Sequence, residues 1–374
     1  MVNNIISNEK LDGAITYVLQ KLDEFMPEFT YKFPAAQSAG YIYPAVENIC
    51  WTGSFYTGML WLAYELTGKE KYKSIAEIHV ESFYERIEKQ IQVEHHDLGF
   101  LYSLSCVSTY KITGNLKAKK AALMAADKLI TRFKEKGEFI QAWGDANDPT
   151  AYRLIIDCLL NIPLLFWAAK ETNDNKYLRV AKKHLRTACK YTIRSDFTTF
   201  HTYYFNPETG EPERGVTRQG FSDSSCWARG QAWGIDGLAL AYAYTKNEEL
   251  IPMFEGVAEV FLEKLPADYV PYWDLIFNEG EEPRDTSSAA IAICGILEME
   301  KYSHNQKFTD YAGKILNSLI DNYTTQKLPY SNGILTDGMY SRPDGHKPEC
   351  NIWGDYFYFE ALMRLKNPEW KMYW

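Results

Sequence analysis

The sequence has no uninterrupted run of about 18 apolar residues, the length that a membrane-spanning helix requires, so we expect no membrane association. Its N-terminus lacks a basic segment followed by an apolar stretch, so we expect no signal peptide and a cytoplasmic protein. The 7 cysteines include no CxxC pair, which argues against a structural zinc site and favours scattered reduced thiols. Lys and Arg form no cluster, and the net charge of −9 argues against a nucleic-acid partner.

Aromatic residues are abundant instead. They make up 15% of the chain, including 10 Trp and 27 Tyr, within a hydrophobic fraction of 46%. This exceeds what a core of this size needs and indicates a lined cleft, since aromatic faces suit sugar rings and other flat, partly polar ligands. An aromatic-rich core is the alternative, which composition does not exclude. Nothing in the sequence indicates an obligatory protein partner.

One pattern recurs along the chain: a polar or Trp-containing start, an apolar helical run, a short Gly/Asn/Asp turn and a second, amphipathic helix. The segments YELTGKEKYKSIA, YKITGNLKAKKAA and AKETNDNKYLRVA align as helix end, turn and next helix. The intervals between copies run longer than the roughly 20–50 residues of common repeat arrays, because the connecting loops vary. Six copies are found, the last of them truncated, and they start at Trp51, Asp97, Asp157, Trp227, Thr286 and Trp353.

The first helix of each copy is apolar nearly all round, whereas the second carries charge on one face. Six such hairpins predict a closed all-α (α/α)6 barrel, with parallel inner helices and an outer layer, formed by residues 1–374 as a single domain. An open helical solenoid is the alternative, although it would not need so many Trp, His and Asp residues where its helices begin. In the barrel, all six start segments lie at one end, so their polar residues converge on one pocket.

The residues predicted at this pocket come from the start segments and from the longer loops. They are Trp51, His95, His96, Asp97, Trp143, Asp157, His201, Arg218, Gln219, Trp227, Arg229, Gln231, Trp233, Asp285, Trp353 and Asp355. Six helix N-termini facing the same end favour an anionic ligand.

Each candidate also has a plainer interpretation. Asp97 and Asp157 are suitable helix N-caps, and Trp51, Trp227 and Trp233 are suitable core residues. The sequence around Asp97 has no His pair at i, i+4 and no third ligand at a telling distance, so we expect neither a metal nor a cofactor.

The two carboxylates have different surroundings. Asp157 lies in the apolar run RLIIDCLLNIPLLFW, where desolvation should raise its pKa above the usual value of about 3.9 and suit it to donate a proton. Asp97 lies beside two histidines and should ionise more readily. A protonated acid and a second carboxyl group at an aromatic-lined mouth suggest sugar chemistry.

At this point the sequence resembles a known family. The segments that carry the resemblance follow one order over nearly the whole chain: HHDLGFLYSLS, QAWGD, LIIDCLLNIPLLFWA, FHTYYFNPETG, WARGQAWGI, RDTSSAAI and NIWGDYFYFEALMRL. They resemble the unsaturated glucuronyl hydrolases of glycoside hydrolase family 88. The resemblance implies an (α/α)6 barrel that removes a 4,5-unsaturated uronic acid from the non-reducing end of oligosaccharides left by polysaccharide lyases. The HHD and IID segments favour this branch over the related unsaturated rhamnogalacturonyl hydrolases.

The resemblance also implies roles for single residues. Asp157 would protonate C4 of the C4=C5 enol ether and then activate the water that adds at C5, while Asp97, with His96 beside it, would hold the hydroxyls of the unsaturated ring. Around the uronate it implies His201, Gln219, Trp233 and Arg229, the last as charge partner of the carboxylate. Trp51, Trp143 and Trp227 would form the aromatic lining, with Trp143 stacked on a sugar.

The loop GMYSRPDGHKPEC, within residues 331–350, is expected to cover the pocket. Ser341, Arg342 or Lys347 in this loop could contact a sulfate on the next sugar, which is a hypothesis. The leading hypothesis is therefore a cytoplasmic hydrolase of unsaturated glycosaminoglycan disaccharides. An inverting glycanase, with Asp97 as base and Asp157 as acid, and a non-catalytic sugar-binding or scaffold protein are the alternatives. The preferred glycosaminoglycan, its sulfation and the oligomeric state do not follow from the sequence.

Overall fold

The computed structural model describes residues 6–374. Residues 1–5, which belong to the N-terminal segment in which we expect no signal peptide, lie outside the described residues. Six inner helical segments form a ring. They are α2 (Gly53–Thr67); α4 (Leu98–Tyr102), continued by a π-helical stretch (Ser103–Val107) and α5 (Ser108–Thr113); α7 (Cys158–Asn161), continued by α8 (Pro163–Thr172); α10 (Ala228–Thr245); α12 (Thr286–Met299); and α14 (Ile352–Lys366).

Six outer helices surround this ring. They are α1 (Asn8–Phe25), α3 (Glu70–Glu88), α6 (Leu116–Ile130), α9 (Asn175–Thr192), α11 (Leu250–Glu263) and α13 (Gln306–Asn322). Neighbouring inner helices pack in chain order, and α14 packs against α2 to close the ring. The predicted (α/α)6 barrel is thus confirmed, and the inner helices begin within two residues of the predicted starts.

The sixth copy is truncated, as predicted, since no helix follows α14 among the described residues. Its outer partner is α1, which packs against α14. The buried face of α1 has helical spacing, with Leu11, Ile15, Val18 and Leu22 turned inward. A search for hairpins that starts at Trp51 could not find this partner, since it precedes the first inner helix in the chain.

Short antiparallel strands lie in the connections between the helices. One sheet has the order β5–β6–β7, formed by Arg153–Ile155, Thr202–Phe205 and Pro212–Val216. Two smaller ladders pair β1 (Phe33–Pro34) with β2 (Ala45–Val46), and β3 (Phe133–Lys134) with β4 (Phe139–Ile140). These strands lie within the long connecting loops and pair parts of them.

The far half of the barrel is filled by aromatic and charged side chains. The indole of Trp374 stacks on the ring of Phe357 with centroids 5.8 Å apart, and its Nε1 donates to Glu360 at 3.1 Å. Arg364 pairs with Glu360 and with Glu298, and all three charges are buried.

Between residues 6 and 374, no helix has the length and apolar character of a membrane span. All seven cysteines are free thiols.

Two inner helices approach each other closely at Gly99 in α4. A Cβ atom placed there would lie 2.2 Å from both Cα and the carbonyl oxygen of Asn161 in α7, so this contact admits only glycine. Gly99→Ala should lower the free energy of unfolding by about 1–3 kcal/mol, because the backbones must separate. Chemical denaturation measures this change.

Gly13→Ala is the matched control. Gly13 lies in α1 with nothing near its missing side chain. The alanine there should leave stability unchanged or raise it by about 0.5–1 kcal/mol. Equal effects of the two substitutions would contradict the close approach.

Candidate active site

Asp97 and Asp157 occupy equivalent positions at the start of neighbouring inner helices. Asp97 is the N-cap residue of α4 and Asp157 that of α7, but neither side chain accepts a capping hydrogen bond. Asp285, the N-cap of α12, does accept one, from the N–H of Ser287. The capping interpretation is therefore right about the position of the two aspartates and wrong about their interaction, since both carboxyl groups are left for other partners.

The partner that the two carboxyl groups share is His96. Its Nε2 lies 3.4 Å from Oδ1 of Asp97 and 3.3 Å from Oδ1 of Asp157. The imidazole is 1% exposed, and burial lowers its pKa to about 4, so it is neutral near pH 7. A neutral imidazole carries one N–H, which it can offer to either carboxyl group.

The two carboxyl groups differ in their pKa. Burial raises the pKa of Asp157 well above its usual range, and the negative charge of Asp97 raises it further. Burial acts in the same sense on Asp97, but His96 and His95 outweigh it and lower the pKa of Asp97 below its ordinary value. Within the pair, the proton is therefore favoured on Asp157 and the negative charge on Asp97, as the surroundings of the two residues in the sequence led us to expect.

Asn161 connects the two helix starts. Its Oδ1 accepts from the N–H of Phe100 at 2.8 Å, and its Nδ2 donates to the carbonyl of Asp157 at 3.2 Å. One side chain therefore holds the first turn of α4 against the first turn of α7. The sequence analysis missed this residue, although its place one helical turn after Asp157 was a usable signal.

His96, Asp97 and Asp157 also form a group that could hold a metal ion. One ligand atom from each residue lies within 4.8 Å of the other two. No other group of three or more possible metal ligands is found among residues 6–374. The sequence spacing around Asp97 showed no third ligand, and the fold brings one, Asp157, from the next hairpin. The absence of a metal from the mechanism stays a prediction.

Arg229 has protein partners. Its Nη1 lies 3.2 Å from Oδ2 of Asp285, and the two side chains are 2% and 0% exposed. It also donates to the backbone carbonyls of Met339 and Tyr340 and to Oε1 of Gln219. The charge that the resemblance assigns to a uronate is thus already paired, and Arg229 anchors the 331–350 loop across the mouth. The sequence analysis placed Asp285 at the mouth without this role.

His201 has a defined protonation state. Its Nδ1 accepts the backbone N–H of Arg218 at 2.9 Å, so the proton of the neutral ring is on Nε2. Burial lowers its pKa to about 3, and its ring packs edge-on against Trp227 at 4.8 Å. His201 is therefore a fixed hydrogen-bond donor.

The tryptophans divide into two groups. Trp233 is buried between Phe100 and Phe357, with ring centroids 5.4 and 5.6 Å apart. This agrees with the interpretation of Trp233 as a core residue. Trp227 is buried as well. Trp51 is half-buried and donates through Nε1 to the hydroxyl of Tyr340, whereas Trp143 is 36% exposed on its loop.

The loop that carries Trp143, residues 141–145, is tied to the carboxyl pair. The carbonyl of Ala142 accepts the N–H of His96 at 2.9 Å, and the carbonyl of Gly144 accepts from Arg132 at 2.9 Å. On the outer side, His184 of α9 accepts the N–H of Ile140. The aromatic side chain and the imidazole between the carboxyl groups are thus held by one segment.

The three residues proposed to contact a sulfate differ in whether their side chains are free to bind a ligand. The buried hydroxyl of Ser341 donates to Asp344 at 2.7 Å, and Asp344 lies 3.7 Å from Arg218. Ser341 is thus engaged next to a carboxylate, which repels a sulfate. The side chains of Arg342 and Lys347 are exposed.

Comparison with known proteins identifies the class. Residues 24–365 match the model of Glycosyl Hydrolase Family 88. The chain is 46% identical over 377 residues to the unsaturated chondroitin disaccharide hydrolase of Streptococcus pneumoniae, covering 99% of this chain and 95% of that protein. It is 41% identical over 352 residues to the unsaturated glucuronyl hydrolase of Bacillus sp. strain GL1, covering 91% and 93%. The chain belongs to glycosyl hydrolase family 88 and is a glycoside hydrolase.

Solved structures agree. The unsaturated glucuronyl hydrolase of Streptococcus agalactiae superimposes with a TM-score of 0.96 at 47% identity, covering 99% of this chain and 94% of that one. An aspartate-to-asparagine variant of that enzyme, complexed with dGlcA-GalNAc6S, gives a TM-score of 0.87 at 44% identity, with 97% and 93% covered.

The buried Arg229–Asp285 pair gives a stability prediction. Asp285→Asn keeps a good N-cap but leaves the guanidinium uncompensated, so the free energy of unfolding should fall by about 3–5 kcal/mol. Denaturant unfolding measures the loss. The exposed pair of Lys10 with Asp321 is the control, since Asp321→Asn should cost at most about 1 kcal/mol. Similar losses in both variants would contradict the anchoring role.

Proposed function

We propose that this glycoside hydrolase removes 4,5-unsaturated glucuronic acid from the non-reducing end of glycosaminoglycan disaccharides that lyases produce. The observation that carries the proposal is the pair of carboxyl groups that share His96 at the mouth, with the pKa of Asp157 raised and that of Asp97 lowered. The names of the relatives support the substrate class. We further propose a cytoplasmic location and one catalytic domain over residues 1–374.

The reaction needs a proton at C4 and a hydroxyl at C5. Asp157 donates its proton to C4 of the C4=C5 enol ether, and the positive charge that develops is shared by C5 and the ring oxygen. The ionised Asp157 then takes a proton from the water that adds to C5, which restores the acid. The resulting hemiketal opens and releases the remaining sugar.

The neighbours of Asp157 support this cycle. The charge of Asp97 keeps Asp157 protonated, stabilises the positive charge at C5 and accepts hydrogen bonds from ring hydroxyls. His96 can donate to the carboxylate that Asp157 becomes after the first proton transfer. On the rim, Nε2–H of His201 is a donor for the uronate, and Arg218, which is 58% exposed, is a cation that can leave Asp344 for it.

The spacing of the carboxyl groups argues against an inverting glycanase. Inverting enzymes separate their two carboxyl groups by about 6.5–9.5 Å to admit a water between them. Oxygens of Asp97 and Asp157 lie within 4.8 Å of each other, which is closer to the separation in retaining enzymes. Hydration of a double bond needs no such gap, because one carboxyl group performs both proton transfers.

Replacement of the proposed acid tests the mechanism. Asp157→Asn should lower turnover by at least the 10²–10⁴-fold that general acid–base catalysis typically contributes, because the amide cannot donate an acidic proton. The readout is the loss of ultraviolet absorbance of the conjugated uronate in unsaturated disaccharides from hyaluronan, chondroitin and heparin. Asp145→Asn, on the exposed part of the 141–145 loop, should keep normal rates. Full turnover by Asp157→Asn would remove Asp157 from this role.

A sulfate on the second sugar would be met by Lys347 or Arg342. If Lys347 binds it, Lys347→Ala should lower the ratio of kcat/KM for 6-sulfated over unsulfated unsaturated chondroitin disaccharide, and Asp344→Asn should raise that ratio by removing a repelling charge. Steady-state kinetics with the two disaccharides measures both. An unchanged ratio in Lys347→Ala would exclude that lysine.

A further inference from the structure

Arg153 is a buried arginine in β5, just before Asp157 in the chain, and its guanidinium stacks on an aromatic ring. Its guanidinium carbon lies 3.4 Å from the ring centroid of Trp143, which is a stacking distance. Arginine stacks well on indole, because its planar cation meets the electron-rich face of the ring. The side chain is 6% exposed.

No carboxylate holds this guanidinium among the residues that the structure describes. Its hydrogen bonds reach the carbonyls of Thr150 and Trp143 and the hydroxyl of Tyr204 at 3.3–3.4 Å. These distances are longer than the usual range of about 2.7–3.2 Å. Its Nε is buried and has no partner. Buried arginines usually pair with a carboxylate. Arg153 has none among the described residues, and its guanidinium packs against the face of the Trp143 indole instead.

Trp143 is fixed through this contact and through its backbone. The carbonyl of Arg153 accepts the N–H of Ala142 at 3.0 Å, so one arginine binds the loop by main chain and side chain. Gly144 follows in the left-handed region, with φ +92°, which turns the chain directly after the indole. A second guanidinium, of Arg218, comes only to 5.7 Å from the ring, and the indole stays 36% exposed.

We propose that Arg153 is a positioning residue for substrate binding. Its guanidinium covers one face of Trp143 and holds the indole in one orientation, so that the exposed face is a rigid platform for a sugar ring. A preorganised aromatic face binds a sugar without first losing side-chain freedom, which improves affinity and leaves the chemical step unchanged. This inference rests on the proposed function.

The test separates binding from chemistry. With unsaturated chondroitin disaccharide, Arg153→Met should raise KM about fivefold, the equivalent of one lost cation–π stack, and change kcat less than about twofold. Arg153→Lys keeps the positive charge but not the planar guanidinium, and should show most of the same rise in KM. In a Trp143→Ala background, Arg153→Met should cause no further rise, since the platform is already absent.

Two further measurements complete the design. Arg179→Met removes a guanidinium that lies 5.8 Å from the ring of Phe133 on the outer surface, and should leave both constants unchanged. Calorimetric binding of the disaccharide to Asp157→Asn, with and without Arg153→Met, should show the same fivefold loss without turnover.

An unchanged KM and affinity in both Arg153 variants, a fall in kcat alone, or full additivity with Trp143→Ala would overturn the inference while leaving the proposed function intact. If the wild-type protein neither binds nor turns over the disaccharide, the proposed function fails, and the inference fails with it.

Discussion

The contact between Gly99 and Asn161 is the constraint on which the site depends. Because Gly99 has no side chain, α4 and α7 touch through their backbones, and Asn161 bonds to both. This brings the two N-cap aspartates to the same imidazole nitrogen. A wider separation would leave two independent helix caps, each with a normal carboxyl group, in place of a coupled pair.

The chemistry follows from that distance together with burial. Water screens two nearby charges strongly, whereas a buried site does not, so Asp97 can hold the proton on Asp157. The same environment requires every other charge nearby to be compensated. Arg229 is paired with Asp285, and Arg153 is stacked on Trp143. The compensating contacts also fix the loops of the rim, so electrostatic balance and loop position have a common cause.

The sequence predicted the barrel and the two carboxyl groups because both leave local signals. Hairpin repeats recur along the chain, and an aspartate in an apolar run is conspicuous. The partner of α14 and the role of Asp285 could not be predicted in this way, since each depends on a residue distant in sequence. Asn161 and Arg153 have partners close in sequence, but the packing of α4 on α7 and the path of the 141–145 loop decide which groups they contact. Arg229 shows the same limit, because its charge looked available until the fold supplied Asp285.

The pairing of α1 with α14 has a consequence for assembly. The inner ring closes where α14 packs against α2, with α1 on the outer side of α14, so it cannot be completed during synthesis until α14 has left the ribosome. Until then, the open arc exposes the apolar edges of α2 and α12, and such surfaces are prone to aggregation in long chains with distant contacts. The rate of forming this last contact should therefore decide the yield of folded protein more than the stability of any single hairpin.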